Sequence, residues 1–356
     1  MDSNRSSMPA PPPCTIVFAS NERGVLPLSL ALWSLLKNAS DSTTYDVYVL
    51  SDGIQQSSRE HLRKIAGDIH LRHSLDFIDT ESILEQKIQA GFTSYLPRST
   101  WARIFAPELL PHVNRALYAD IDILVCDDCS SLFTLDMQGA ALGVVYESAS
   151  SPTAEVYDRL DIPREYPGYF NAGVLLMDFE QFRTCNIAQK ILAVADKYNG
   201  KLYAQDQDAL NAALYDNVIR LHPRWNWHDR YTRTSLFANP SSKLWRAFEP
   251  REVVEASLFP GIIHFIGAHK PWHYTHRLMA RNYETAIKES GLPGFLPLPG
   301  WNFKTWLARL LYSPMYALTW HKIKRLAKKW GIASAPAATT WGLAKDLAKT
   351  GHPPQS

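Results

Sequence analysis

The chain has 356 residues, enough for a large buried core, and its 46% hydrophobic and 20% charged residues mark a globular rather than a disordered protein. A formal net charge of +2 gives no general ground for nucleic-acid binding. Its four cysteines are too few for a disulfide scaffold, and Cys126 and Cys129 form a CxxC with no second pair or nearby histidine to complete a zinc set. No stretch approaches the ~18 charge-free apolar residues of a membrane span. Residues 1–13 are polar and Pro-rich without an apolar h-region, which predicts a flexible leader, and a reduced cytosolic compartment follows.

In chain order, Cys14–Ala19 is a short β-rich run that gives way to a polar loop, Ser20–Gly24. Pro27–Lys37 reads as a helix with Leu28, Ala31, Leu32 and Leu35 on one face. Asp46–Leu50 is a second buried strand, Ser57–Ala66 a helix, and His70–Phe77 a third strand. This βαβα cadence predicts an α/β fold whose mostly parallel sheet binds ligands beyond the carboxyl ends of its strands. Asn21 and Asp52 fall at two such ends. A helix over Thr100–Leu110 carries Arg103 toward the next strand.

That strand leads into Asp120-Ile121-Asp122. Leu117–Ala119 and Ile123–Val125 are apolar, so both acids leave the core where sheet-forming sequence is interrupted. Alternation places the two carboxylates on one side and Ile121 on the other. Two like charges this close repel unless a cation lies between them, and hard carboxylate oxygens suit magnesium or manganese. A solvated turn is the competing reading.

Ala140–Tyr146 is a further strand. Tyr169–Asp178 places a small polar turn, Asn171-Ala172-Gly173, before an apolar run. Ile187–Tyr198 is an amphipathic helix, and Asp206-Gln207-Asp208 opens another over Ala209–Leu214 with Asp206 as its cap. Val218–Leu221 is a short strand. Arg224–Thr234, rich in Trp, His and Arg, reads as a loop that shapes the acceptor cleft together with Tyr146–Ser151, with aromatics suited to sugar stacking. Ile262–Phe265 is the last strand. Its His264 can complete a metal site begun by two carboxylates, Lys270 can neutralise a diphosphate, and Gly267 lets backbone approach a phosphate. Trp301–Trp330 mixes tryptophans with Lys and Arg and contains no acid, which predicts amphipathic helices, divided at Pro314, lying on an anionic membrane. The expected domains are the leader 1–13, a catalytic unit 14–285, a basic membrane-attachment segment 286–330 and a flexible tail 331–356.

Six stretches carry a resemblance: IVFASNE at 16–22, RSTWARIFAPELLP at 98–111, LYADIDILV at 117–125, YFNAGVLLMD at 169–178, QDQDALN at 205–211 and HFIGAHKPW at 264–272. In order and spacing the chain resembles family 8 of the glycosyltransferases, the bacterial lipopolysaccharide galactosyl- and glucosyltransferase group with relatives among the glycogenins. The resemblance implies a GT-A fold, with a Rossmann-like central sheet and flanking helices, a UDP-galactose or UDP-glucose donor, and Mn2+ or Mg2+ as the ion. It implies Asp120, Asp122 and His264 as metal ligands, and Lys270 and Gly267 at the diphosphate. Arg103 would serve the donor site, Asn171 and Asp206 the transferred hexose, and Gln207 the sugar's β-face in a retaining reaction, with Asp206 as the fallback nucleophile. Ala19, Asn21 and Ile121 complete the implied donor set. Asn21 departs from the family pattern, which often has Asp there for the uracil ring. The implied acceptor is a saccharide or lipid-linked glycan, the context surface polysaccharide or lipopolysaccharide synthesis, and the location the inner face of the cell membrane. The competing functions are a nucleotidyltransferase, for which Ser20–Gly24 is a poor triphosphate loop, and a non-catalytic sugar- or membrane-binding protein.

Overall fold

A computed structural model describes residues 12–88, 97–147, 154–166, 168–199, 201–228, 231, 247–267, 270–272, 279–292 and 320–332. Most of the leader, residues 148–151, most of 229–234, residues 301–319 and all but two residues of the tail therefore lie outside the described residues.

Strand β1 (Cys14–Asn21) is buried through its middle and lies in the interior of the sheet. It pairs in parallel with β2 (Tyr45–Asp52) on one side and with β4 (Arg115–Ala119) on the other. β3 (Ser74–Asp79) extends the sheet in parallel beyond β2. It starts four residues later than the sequence run from His70, because that residue ends the preceding helix. Helix α1 (Val25–Lys37) connects β1 to β2, and α2 (Gln56–Ile69) connects β2 to β3. The expected α1 face, Leu28, Ala31, Leu32 and Leu35, is fully buried, and so are Ser29 and Ser34. Their hydroxyls donate to Val25 O and Ala31 O, so burying them leaves no donor unpaired. After α3 (Glu81–Lys87), a 3-10 turn at Arg98–Trp101 runs into α4 (Ala102–Leu109).

On the other side of β4 the direction reverses. β7 (Phe170–Asp178) is antiparallel to β4, with Val174 opposite Ala119, and β6 (Leu142–Tyr146) is antiparallel to β7. β8 (Val218–Arg220) closes the edge in parallel with β6, giving the order β3-β2-β1-β4-β7-β6-β8. A second ladder pairs β5 (Ile123–Val125) with β9 (Ile262–His264), again antiparallel, with Ile123 opposite His264.

Asn171-Ala172-Gly173 is not a turn before a strand; it is the bulged beginning of β7. Val144 pairs with Leu175, but the next residue of β6, Val145, pairs with Asn171, so the residues between them escape the β6 ladder. The released backbone turns to β4 instead, where Asp120 N donates to Gly173 O at 2.7 Å. The Asn211 amide brackets Phe170 at the start of the strand, donating to its carbonyl at 2.9 Å and accepting from its N–H at 2.8 Å.

Helices α5 (Ser130–Phe133), α6 (Ala154–Arg159), α7 (Phe179–Thr184), α8 (Ile187–Lys197), α9 (Asp206–Leu214), α10 (Pro250–Leu258) and α11 (Ala280–Ser290) surround the sheet. α11 adds Tyr283, Ala286 and Ile287 to the core cluster, so the packed body continues past residue 285. The described part of Arg224–Thr234 is no open cleft wall. Pro223–Asn226 is a 3-10 turn, Trp227 bridges to Ile263, and Trp225, Trp227 and Tyr231 are buried. Those aromatics are core, unavailable for sugar stacking.

A twelfth helix, α12, spans 320–329. Ile323 and Ala327 are buried against Val254 and Leu258 of α10, and Lys322, Lys324, Arg325, Lys328 and Lys329 are exposed. Its apolar stripe is therefore spent on the protein, which corrects the expectation of a helix lying apolar face down in lipid over this part of 301–330. Among the described residues no helix is long and apolar enough to cross a membrane.

Candidate active site

Two antiparallel pairings assemble the site. Because β7 runs against β4, the start of β7 lies beside the end of β4, where Asp120 leaves the sheet. Because β9 runs against β5, His264 at the end of β9 lies beside Asp122 at the start of β5, and Phe265 N donates to Asp122 O at 2.9 Å. Asp120 Oδ2 is 3.8 Å and Asp122 Oδ1 3.1 Å from His264 Nε2. The three ligand atoms fall within 4.8 Å of one another.

Each group turns one atom inward because its other atom is held elsewhere. Asp120 Oδ1 accepts from Arg103 Nη2 and from the Tyr118 hydroxyl, both at 3.0 Å, which leaves Oδ2 for the cluster. Asp122 Oδ2 is paired with the Lys270 ammonium, which leaves Oδ1. His264 Nδ1 lies 2.8 Å from Asn226 Oδ1, which leaves Nε2. Two carboxylate oxygens and an imidazole nitrogen converge here, and this mixed O,O,N set could hold a divalent ion such as manganese. The Lys270 ammonium holds the Asp122 carboxyl well below the usual carboxylate range, against the upward push of burial.

Close approach here depends on Gly173. A Cβ at that position would come within 2.1 Å of His264 Cε1 and 2.9 Å of Asp120 Oδ2. Gly173→Ala should therefore displace the imidazole and weaken metal binding and activity by at least about tenfold, with secondary structure retained. Titrating Mn2+ into the variant checks this, and unchanged affinity would count against it. Gly267, at φ +79°, takes a left-handed conformation that a side chain disfavours. Lys270 also donates to Phe265 O at 2.9 Å, which fixes its stem beside Asp122.

The cluster lines one side of a cleft of about 560 Å³. Arg103, Asp120, Asp122, Asn171, Asp206, Gln207, His264, Gly267 and Lys270 all contribute to its wall. Ala19, Asn21 and Ile121 do not: Ala19 is core near the end of β1, Asn21 pairs with Asp52 across the β1–β2 ladder, and the Ile121 side chain packs toward Gly24. Asp52 is held by Arg98 at 2.9 Å.

Opposite the cluster is the first turn of α9. Its cap position is Gln205 rather than Asp206, and Gln205 adopts φ +47°, a region that costs a non-glycine residue on the order of 1–3 kcal/mol. This turn drives Asp206, Gln207 and Asp208 toward the cleft instead of along the helix surface. The Asp206 carboxylate is 2% exposed, and its Oδ2 lies 3.0 Å from Arg103 Nε. That N–H is directed to Thr100 O at 2.8 Å, so Oδ2 accepts no hydrogen bond among the described residues. The Arg103 guanidinium beside it supplies the charge that this buried carboxylate oxygen needs. Burial pushes the Asp206 carboxyl up to about 6, against the pull of Arg103. Arg103, 3% exposed, also donates to Ala172 O and sits 4.4 Å over the Tyr118 ring. Each of its nitrogens is engaged by protein, so it acts as the tie between Asp120 and Asp206.

Gln207 is held at both ends of its amide. Oε1 accepts from Ala172 N at 2.9 Å and Asn171 Nδ2 at 3.2 Å; Nε2 donates to Glu147 Oε1 and the Tyr169 hydroxyl, both at 3.2 Å. Tyr169 in turn donates to Asp208, which pairs with Arg159. Glu147, Tyr169 and Asn226 lie in stretches the sequence singles out, but nothing there marks them individually as site residues. Glu147 follows a buried strand as any solvated acid would, and Asn226 sits between tryptophans in a stretch without periodicity. The CxxC cysteines are both buried and free, and burial pushes their thiols up, so they are inert packing residues.

A cleft lined by a possible cation cluster at the strand ends of an α/β sheet suits an enzyme that handles a phosphorylated substrate, and comparison with known proteins gives the family. A model for Glycosyl transferase family 8 matches residues 15–276. General stress protein A of Bacillus subtilis is 30% identical over 67% of this chain and 80% of its own length. A lipopolysaccharide 1,2-glucosyltransferase of Escherichia coli is 27% identical over 64% of each chain. Among solved structures, the galactosyltransferase LgtC in complex with donor and acceptor sugar analogs superposes with TM-score 0.63 at 22% identity, covering 83% of this chain and 99% of that one. The glycosyltransferase GlyE of Streptococcus pneumoniae superposes at 0.56 with 22% identity, over 78% and 61%. The fold is accordingly GT-A, and this chain belongs to glycosyl transferase family 8.

Proposed function

We propose that this protein is a metal-dependent, retaining hexosyltransferase that moves galactose or glucose from a UDP-sugar to a saccharide or lipid-linked glycan acceptor. The observation that carries the reading is the convergence of Asp120, Asp122 and His264 to within 4.8 Å beside Lys270, across a cleft from Asp206 and Gln207. Asp120, Asp122 and His264 would hold Mn2+ or Mg2+, which supplies Lewis acidity toward a diphosphate leaving group. Lys270, 23% exposed, adds positive charge where the β-phosphate departs. Asp206, Asn171 and Gln207 form the wall beneath the sugar ring.

Retention follows if the acceptor hydroxyl attacks C1 on the face the diphosphate leaves. The C1–O bond to the β-phosphate breaks, the C1–O bond to the acceptor forms, and the acceptor's proton passes to the departing phosphate oxygen. Gln207 is no nucleophile, and Asp206 is recessed beside Arg103, so a covalent glycosyl-enzyme is the less favoured route. The named functions of the Escherichia coli glucosyltransferase and of LgtC support a hexose donor, and the former supports a role in lipopolysaccharide synthesis. A screen of UDP-sugars for UDP release, with and without Mn2+, tests the reading: metal-dependent release from UDP-galactose or UDP-glucose is expected, and no turnover of any UDP-hexose would overturn it.

We further propose attachment to the inner face of the cell membrane through charge. The five exposed cations of α12 each contribute roughly 1 kcal/mol near an anionic surface, a sum that falls with salt. Reversing Lys322, Lys328 and Lys329 to Glu should abolish co-sedimentation of the full chain with phosphatidylglycerol vesicles, and undiminished binding would refute this.

A further inference from the structure

We propose that Asn226 is a positioning residue for the metal centre, holding His264 with Nε2 presented to the ion and tying that ring to the sugar side of the cleft. The inference rests on the reading of His264 as a metal ligand and adds a residue outside the family motifs quoted above. Asn226 is fully buried, and its amide lies between His264 Nδ1, 2.8 Å from Oδ1, and Asn171 Oδ1, 2.9 Å from Nδ2.

The direction of every bond in this chain is fixed by two backbone donors. Gly173 N donates to Asn171 Oδ1 at 2.9 Å, so the oxygen of that amide faces Gly173 and Asn226. Asn226 must then present its NH2 to Asn171 and its oxygen to His264, because the flipped amide would set oxygen against oxygen. An oxygen facing Nδ1 requires Nδ1 to carry a proton, and a neutral imidazole protonated there has its lone pair on Nε2, the atom nearest Asp120 and Asp122. At the other end, Ala172 N donates to Gln207 Oε1 at 2.9 Å, which fixes that amide with its NH2 toward Glu147. Asn171 Nδ2 donates to both Glu147 Oε1 and Gln207 Oε1, at 3.1 and 3.2 Å. One hydrogen-bonded chain therefore runs His264–Asn226–Asn171–Gln207, with its polarity set by the bulged start of β7. Partners that hold a ligating histidine in this way raise its basicity and lock its orientation.

The test measures Mn2+ binding to the full chain without sugar nucleotide, by the loss of the free-ion electron paramagnetic resonance signal, alongside thermal unfolding. Wild type should bind, and His264→Ala should bind far more weakly. Asn226→Ala should weaken Mn2+ by about 10–100-fold. Asn226→Asp keeps an oxygen toward Nδ1 but gives Asn171 no donor, so it should restore near-wild-type Mn2+ affinity even if it melts earlier. A residue needed for packing alone would show the opposite: affinity following melting temperature in both variants. If wild type binds and His264→Ala does not, unchanged affinity in Asn226→Ala overturns the role of Asn226 while the metal site stands. Loss of binding in a folded Asn226→Asp overturns it equally, and decides the matter should the Ala variant not fold. A wild type that binds no Mn2+ removes both readings together.

Discussion

Asp122→Ala should lower metal-dependent sugar transfer by at least about a thousandfold, equivalent to roughly 4 kcal/mol of lost transition-state stabilisation. The size follows from what one carboxylate does twice. Oδ1 is the cluster atom nearest His264 Nε2, at 3.1 Å, and Oδ2 holds the Lys270 ammonium beside the place where diphosphate charge develops. Removing it leaves two ligand residues and frees a lysine from its anchor. Its cost to the fold should be small, because Lys270 is partly exposed and water can solvate it once the carboxylate is gone. Steady-state rates at saturating Mn2+, read beside a thermal melt, separate the two effects. Activity within tenfold of wild type at a normal melting temperature would show that Asp122 does not hold the ion.

The residues of this cluster were legible because their chemistry is local. Two acids one residue apart at the break between apolar runs suit a cation or a solvated turn, a histidine ending the last short strand can complete the first reading, and the six ordered motifs favour it. What could not be read was why they meet. The β4–β7 and β5–β9 pairings are antiparallel in a chain whose opening βαβα rhythm promises parallel strands, and no local pattern encodes that reversal. The Asn-Ala-Gly stretch looked like a turn because its residues are turn formers, yet a bulge uses the same residues to open a strand toward its neighbour. Asp206 looked like a helix cap for the same reason, and the left-handed Gln205 before it took that position. The aromatic run at Trp225–Tyr231 carried the opposite ambiguity: large rings serve either a sugar platform or a core, and here the core took them. Composition likewise described α12 well but not its seating, since an amphipathic basic helix suits a membrane and a protein surface alike.

Arg103→Met should destabilise the fold by about 3–5 kcal/mol, the usual cost of breaking a buried ion pair from one side. The guanidinium is 3% exposed and lies within 3.0 Å of both Asp120 Oδ1 and Asp206 Oδ2, so its loss leaves two carboxylates facing each other across a hydrocarbon chain. The deficit should also depend on pH, with a sign that Asp206 sets. Burial already raises this carboxyl from its ordinary 3.8 to about 6 in the presence of Arg103, which pulls it down. A carboxyl whose folded value is raised favours the folded state below its unfolded value near 4, and that contribution is lost as pH rises through the folded value. Without Arg103 the folded value moves higher, so the variant should be weakest near neutral pH and recover as pH falls from about 7 toward 5, where protonated Asp206 no longer needs a counter-charge. Arg103→Lys restores charge without the planar fork that reaches both acids, and should recover only part of the loss. Urea unfolding of the variant and wild type at pH 5 and pH 7.5 gives the two differences directly. A deficit identical at both values would show that Asp206 does not titrate with the fold, and that Arg103 stabilises through Thr100, Ala172 and Tyr118 instead.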